Sequence, residues 1–283
     1  MKIAVDSGST KTNWGFFNSG NDLNVIKTQG INPCHQSDDE IRSIIKNELK
    51  AGLNGLDLNS VDEVFFYGAG CATEPICLQM AGILKEFVPN AVITVESDML
   101  GAAHALCGHS EGVACVLGTG SNSCLYNGKE IVDQVPSLGY ILGDEGSAVA
   151  LGRHLISDCL KRQLPESVST EFMQRYSLTK ESIIESVYRK PMANRYIAGF
   201  APFLIDKRSI PEVHKMLIQC FSEFFTRNVI NYHKPWLPVH FVGSLANSFA
   251  EELKETADSL GMTIGKIVAS PITGLADYHS PQE

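Results

Sequence analysis

Two short stretches, DSGSTKT at residues 6–12 and LGTGSNS at residues 117–123, restrict the fold of this chain more than any other feature. Each is a run of glycines and hydroxyl residues between segments that favour a pleated, half-buried surface. Ile3 to Val5 and Trp14 to Phe17 flank the first; Gly112 to Leu117 and Ser123 to Tyr126 flank the second. Residues this small cannot pack a core, so each stretch reads as a hairpin turn. One such turn is an ordinary loop. Two in equivalent places imply an internal duplication.

Hydrophobic periodicity extends the comparison. The first third predicts strands near 2–7, 12–18 and 22–29, a helix near 37–52, a strand at 61–67, a helix near 74–88 and a strand at 91–96. From residue 112 a comparable pattern begins again, with a strand to Leu117, the second turn, a strand at 123–126, an Asn127-Gly128 hairpin signal and a strand at 129–135. A helix near 145–161, a mostly helical stretch over 157–234, a strand at 239–242, a helix near 247–260, a strand at 263–268 and a short closing helix complete the chain. Meanders followed by alternating strand and helix define a mixed α/β fold. Two halves of this kind facing each other would present backbone N–H groups and hydroxyls to one anion from both sides.

At 283 residues there is length for one large domain or two ordinary ones. A net charge of −9 argues against a nucleic-acid groove, which draws on an excess of lysine and arginine. No apolar run approaches the roughly 20 residues that cross a bilayer, so no membrane partner is expected. Met1 leads directly into the strand-like KIAVDSG, which argues against an export signal and for the cytoplasm. The eight cysteines form no C-x-x-C pair and several lie in apolar runs, so they read as buried thiols in a reducing compartment. The histidines show no ligand spacing and read as structural or exposed.

DSGSTKT at 6–12, INPCH at 31–35, ESD at 96–98, LGTGSNS at 117–123, LGYILGDEGSA at 138–148 and FVGSLA at 241–246 occur as an ordered set. Together they resemble the acetate and sugar kinase, heat-shock chaperone ATPase and actin superfamily. Within it they resemble the N-acetylglucosamine kinase branch, grouped with the BadF/BadG/BcrA/BcrD type ATPases. The resemblance implies two ribonuclease H-like (actin-like ATPase) domains with a cleft between them. Residues 1–107 would form the first and 108–269 the second, with a closing helix in 270–283 packing back on the first. It also implies ATP and Mg²⁺ as cofactors and an amino or N-acetylamino sugar as acceptor, and it allows a homodimer.

Site residues follow motif by motif. The first hairpin matches the phosphate loop whose donors meet ATP through Gly8, Ser9, Thr10, Lys11 and Thr12, with Asp6 near Mg²⁺. Ser7 and Ser9 stand where glycines are often found. Gly118, Thr119 and Gly120 match the second phosphate loop, and Ser121 and Asn122 the positions that turn toward the sugar. Asp98, alone, reads as a helix cap; the resemblance makes it the general base that accepts the proton of the acceptor hydroxyl. Gly139, Asp144 and Ser147 would line the sugar pocket, where a carboxylate accepts two hydroxyl hydrogen bonds, though Asp-Glu before a helix is also capping chemistry. Asn32 matches a sugar-contacting asparagine and is otherwise a turn signal. Gly243 and Ser244 match the adenosine segment. The alternative to a sugar kinase is an ATPase switch that activates or scaffolds a protein, against which GSN and GDEGS speak; a sugar sensor without catalysis is a third.

Overall fold

A computed structural model describes residues 1–8, 10–18 and 23–280. The chain forms two compact units, one of Met1–Ser110 with Asn127–Ile131 and Ser270–Glu283, the other of Glu111–Tyr126 with Val132–Ala269.

The first sheet contains β1 (Lys2–Ser7), β2 (Lys11–Phe17), β3 (Asn24–Gln29), β4 (Glu63–Gly68) and β5 (Val92–Ser97), in the order β3-β2-β1-β4-β5. β2 runs antiparallel to both β1 and β3, while β1, β4 and β5 are parallel. The second contains β6 (Glu111–Leu117), β7 (Ser121–Asn127), β8 (Ile131–Asp133), β9 (Val239–Val242) and β10 (Ile264–Val268), in the order β10-β9-β6-β7-β8. Counted within its own half, each sheet reads third, second, first, fourth, fifth. The duplication inferred from the two hairpins is therefore a duplication of topology, and the fold is the mixed α/β one expected.

Alternation along β1 assigns its two faces. Ile3 and Val5 join Trp14, Phe16, Ile41, Val64, Phe66 and Ile83 in one core, and Ala4 joins Phe17, Tyr67, Ala105, Ile272 and Leu275 in another. Ser37 starts the helix Asp38–Ile44 with a capping box to Glu40, and the helix continues through a π-turn at Ile45–Leu49 to Gly52. The opposite face is covered by the helices Asp98–Cys107 and Ile272–His279. Tyr67 ties that last helix down, its hydroxyl 2.8 Å from both His104 Nδ1 and His279 Nε2.

Several boundaries differ from the sequence expectation for local reasons. The expected strand at 61 begins at Glu63, because Leu58–Ser60 turns first. The strand at 129–135 contracts to Ile131–Asp133. The helix placed from 145 begins at Ala148: Asp144 and Gly146 have positive φ, and Ser147 is the cap. The helix near 247 begins earlier, as Ser244–Ser248, breaks at Phe249 and resumes over Ala250–Ser259. The 157–234 stretch resolves into the helices Glu166–Arg175, Lys180–Tyr188, Ala193–Ala198 and Pro211–Arg227, with a 3₁₀ segment at Ala201–Lys207. Of the eight cysteines, Cys34 is exposed, Cys77 half-buried and the other six buried.

Candidate active site

In the first unit the chemistry gathers at the C-terminal edge of the parallel strands, where open α/β sheets bind ligands. Ser7, Gly68 and Ser97 stand in register across β1, β4 and β5, so Asp6 and Asp98 flank one edge with β4 between their strands. Asp6 has the parity of Ala4 and lies on the face that the helix Asp98–Cys107 covers. Its carboxyl rises from 3.8 to about 6, chiefly through burial and further through the charge of Asp98, against the Asn13 hydrogen bond and the Lys11 charge. Asn13 Nδ2 donates to Asp6 Oδ2 at 3.0 Å from directly across the hairpin.

Asp98 is the first helical residue, and the cap is Ser97, whose hydroxyl accepts from the Leu100 amide at 3.2 Å. Ser97 holds the cap position, while Asp98 sits in the first turn. Asp98 is solvent-exposed, yet the protein mass around it raises its carboxyl above the ordinary value, opposed by hydrogen bonds from the Met99 and Asp98 amides.

The first hairpin closes with Gly8 N–H donating to the Lys11 carbonyl at 3.0 Å, and Thr10 and Lys11 are exposed beyond it. Ser9 lies outside the described residues. Thr12 differs from its neighbours: it is fully buried, and its hydroxyl meets Ser7 Oγ at 2.7 Å and the Ile31 amide at 3.1 Å. Its side chain faces inward, toward Ser7 and Ile31. Asn32 is buried, with Oδ1 accepting from the Cys34 amide at 3.0 Å.

In the second unit the turn Gly118–Gly120 is tied to the segment that follows β8. Gly118 N–H donates to the Gly120 carbonyl at 2.9 Å. The carbonyls of Gly118 and Thr119 accept from the amides of Ala148 and Val149 at 2.9 and 3.1 Å. Ser147 Oγ accepts from Ala150 N–H at 3.2 Å. These bonds satisfy the first amides of the helix Ala148–Leu160, and Ser147, fully buried, serves the helix end. Asp144 Oδ1 accepts from the Ser121 amide at 3.0 Å, and a side chain at Gly120 would press on the Asp144 carboxylate at 2.9 Å. Burial raises the Asp144 carboxyl, with the Ser121 bond opposing and Glu145 adding to it. Glu145 itself is paired with Arg227 at 2.7 Å. Asn122 Oδ1 accepts from the Ser123 amide and from Gln134 Nε2, at 2.9 and 3.1 Å.

Gly139 is exposed at φ +71, with open space where a side chain would go. Gly243 has φ +134, and a Cβ there would collide with the Leu117 carbonyl. Its glycine is required by the end of β6, whatever approaches from outside. Ser244 is exposed at the start of its short helix.

Asn13, Ser97 and Ser7 are the residues that sequence reasoning missed. Asn13 was accessible from hairpin register, since it and Asp6 sit at matching distances from the turn. Ser97 was accessible as a preferred cap ahead of an apolar helical run. Among the described residues no group of three or more His, Cys, Asp or Glu side chains could hold a metal ion, and no helix is long and apolar enough to cross a membrane.

The fold is that of the actin-like ATPases. A ROK family glucokinase from Streptomyces griseus, solved with glucose and AMPPNP, matches with a TM-score of 0.58 at 14% identity over 98% of each chain. A provisionally named N-acetylglucosamine kinase from Chromobacterium violaceum matches with a TM-score of 0.65 at 17% identity over 98% of each chain. No protein-family model and no curated protein sequence matches the chain. A provisionally named N-acetylglucosamine kinase from Porphyromonas gingivalis is 46% identical, covering 99% of this chain and 98% of its own, with a TM-score of 0.94. The chain belongs to that kinase family.

Proposed function

We propose that this protein is a cytoplasmic member of the BadF/BadG/BcrA/BcrD type that transfers the γ-phosphoryl group of ATP to a primary hydroxyl of an amino or N-acetylamino sugar. The P–O bond to the β-phosphate breaks, a P–O bond to the sugar oxygen forms, and the hydroxyl proton goes to the Asp98 carboxylate. The observation that carries this reading is that Ser97 fills the helix cap, leaving Asp98 at the strand edge with a raised pKa. A carboxylate closer to neutrality is the better proton acceptor.

The other residues hold and orient. Gly8, Ser9, Thr10 and Lys11 of the first hairpin, with Gly118, Thr119 and Gly120 of the second, supply phosphate donors. Asp144, Ser121, Asn122, Gly139 and Asn32 meet the sugar, and Gly243 and Ser244 border the nucleoside. Mg²⁺ fits beside Asp6: its carboxylate is held by Asn13, carries a raised pKa and feels a second carboxylate, so a cation there relieves repulsion. Mg²⁺ keeps several waters and needs only one or two carboxylates. When bound, Mg²⁺ neutralises phosphate charge.

The test is an ADP-release assay with glucosamine, N-acetylglucosamine, N-acetylmannosamine and N-acetylmuramic acid, with and without Mg²⁺. Turnover on at least one sugar, requiring Mg²⁺, is the expected result. Asp98→Asn should still bind ATP while losing sugar-dependent turnover by about 10²–10⁴-fold. ATP hydrolysis indifferent to every sugar would overturn the proposal in favour of an ATPase switch.

A further inference from the structure

Ser7 and Thr12 are fully buried, although they belong to a hairpin whose Thr10 and Lys11 face solvent. They are cross-strand partners in the β1–β2 ladder, on the face opposite Asp6 and Asn13. Against them lies Ile31, also fully buried. Ser7 Oγ is 2.8 Å from the Ile31 carbonyl, Thr12 Oγ1 is 3.1 Å from the Ile31 amide, and the two hydroxyl oxygens are 2.7 Å apart.

Counting protons assigns every direction. The Ile31 carbonyl can only accept, so the Ser7 hydroxyl donates to it. The Ile31 N–H can only donate, and Thr12 Oγ1 accepts it. The Thr12 hydroxyl proton then goes to Ser7 Oγ. The bonds close a ring through Ile31, whose N–H is shared between Thr12 Oγ1 and Ser7 Oγ, the latter at 3.3 Å, an arrangement whose members polarise one another in the same sense. Ser7 also accepts at its carbonyl from the Ala69 amide at 2.7 Å, which adds the loop after β4. That loop reaches the same segment again, because a Cβ at Gly70, φ +85, would collide with Asn32 Oδ1.

We infer that Ser7 and Thr12 are positioning residues that fix the acceptor segment Ile31–Asn32 in register with the phosphate hairpin. This rests on the role proposed above for Asn32 as a sugar contact. Because Asn32 directly follows Ile31, anchoring both backbone groups of Ile31 sets where its side chain departs. A glycine at position 7 cannot close the ring. Thr12 thus acts on the sugar through Ile31, without touching the nucleotide.

Steady-state kinetics of Ser7→Ala, Thr12→Val and Thr12→Ser test this, using whichever of the four amino sugars the wild type phosphorylates best. Ser7→Ala and Thr12→Val should raise the sugar KM at least fivefold while the ATP KM stays within twofold. Thr12→Ser, which keeps the hydroxyl, should restore wild-type values. Amide exchange at Ile31 should speed up at least tenfold in the first two variants and not in the third. If sugar KM does not move, or if both KM values rise together, the inference is overturned while the kinase reading stands. A wild type that phosphorylates none of the sugars overturns both.

Discussion

The Asn13 amide nitrogen lies 3.0 Å from the Asp6 carboxylate, directly across the first hairpin, and is the neutral partner of an acid that burial pushes up to about 6. That position has a thermodynamic consequence. Between 3.8 and about 6 the folded protein binds a proton that the unfolded chain releases, so Asp6 lowers stability as pH rises through that window. At pH 7 the cost is on the order of 1–3 kcal/mol after allowance for partial exposure. Asp6→Asn keeps an oxygen for Asn13 and removes the charge. It should therefore be more stable than wild type at pH 7, equally stable below about pH 4, and inactive as a kinase. Urea unfolding at the two pH values checks this, and a variant less stable than wild type at pH 7 would contradict it.

Ser97 and Asp98 divide two tasks that either could perform alone. Removing the cap with Ser97→Ala should cost about 1 kcal/mol of stability and leave the Leu100 amide as the best partner for the Asp98 carboxylate. Turnover should then fall with little change in ATP affinity, and Ser97→Asn, another good cap, should recover both properties. Full activity in Ser97→Ala would mean that Asp98 does not depend on its neighbour.

Gly139 and Gly243 were both read from the sequence as site glycines, but they are required for different physical reasons. At Gly139 the only obstacle is φ +71, and the space beyond is open. Gly139→Ala should cost about 1–2 kcal/mol, the penalty of a left-handed residue. At Gly243 a methyl group meets the fixed backbone carbonyl of Leu117 as well as an unfavourable φ of +134. Gly243→Ala should exceed the first variant by at least about 2 kcal/mol, since overpacking adds to the strain. Thermal unfolding of the two proteins side by side separates them.

What the sequence made legible was local or repeated. The hairpins announced themselves because turn residues and flanking strands are neighbours in the chain, and their recurrence implied the matching strand orders of the two sheets. The ring at Ser7 was hidden because its third member, Ile31, is 24 positions away from Ser7 and contributes only backbone atoms. Ser147 and Thr12 were harder to read for a related reason. Both lie within motifs that carry chemistry, and only packing reveals that their hydroxyls are turned inward, toward a helix end and toward Ile31. Gly243 reads from the sequence as a glycine of the adenosine segment, and its backbone demand comes from Leu117, more than a hundred residues earlier.

The closing helix offers the clearest dependence on acid. His104 and His279 both contact the Tyr67 hydroxyl, which donates to one ring nitrogen and accepts an N–H from the other. His279 stacks on Phe65 at 3.5 Å between centroids and His104 on Tyr278 at 4.0 Å. Burial is the main cause that lowers both rings, from 6.5 to about 4 for His104 and about 3 for His279, and the facing His109 and, for His279, Lys2 and His104 reinforce it. A bond to the Lys129 backbone opposes the shift at His104. Because the unfolded chain takes up protons first, the contribution of these neutral rings is complete above about pH 6.5 and is lost as pH falls toward 4. Asp6 works the other way below about pH 6, but two histidine rings outweigh one carboxyl, so wild type should lose stability between pH 7 and 5, with amides of Ile272–His279 exchanging faster at the lower value. His279→Phe preserves an aromatic face for Phe65 and removes one titrating ring, so its urea midpoint should fall less over the same interval. Equal losses in the two proteins would mean that protonation of His279 is not what loosens the helix.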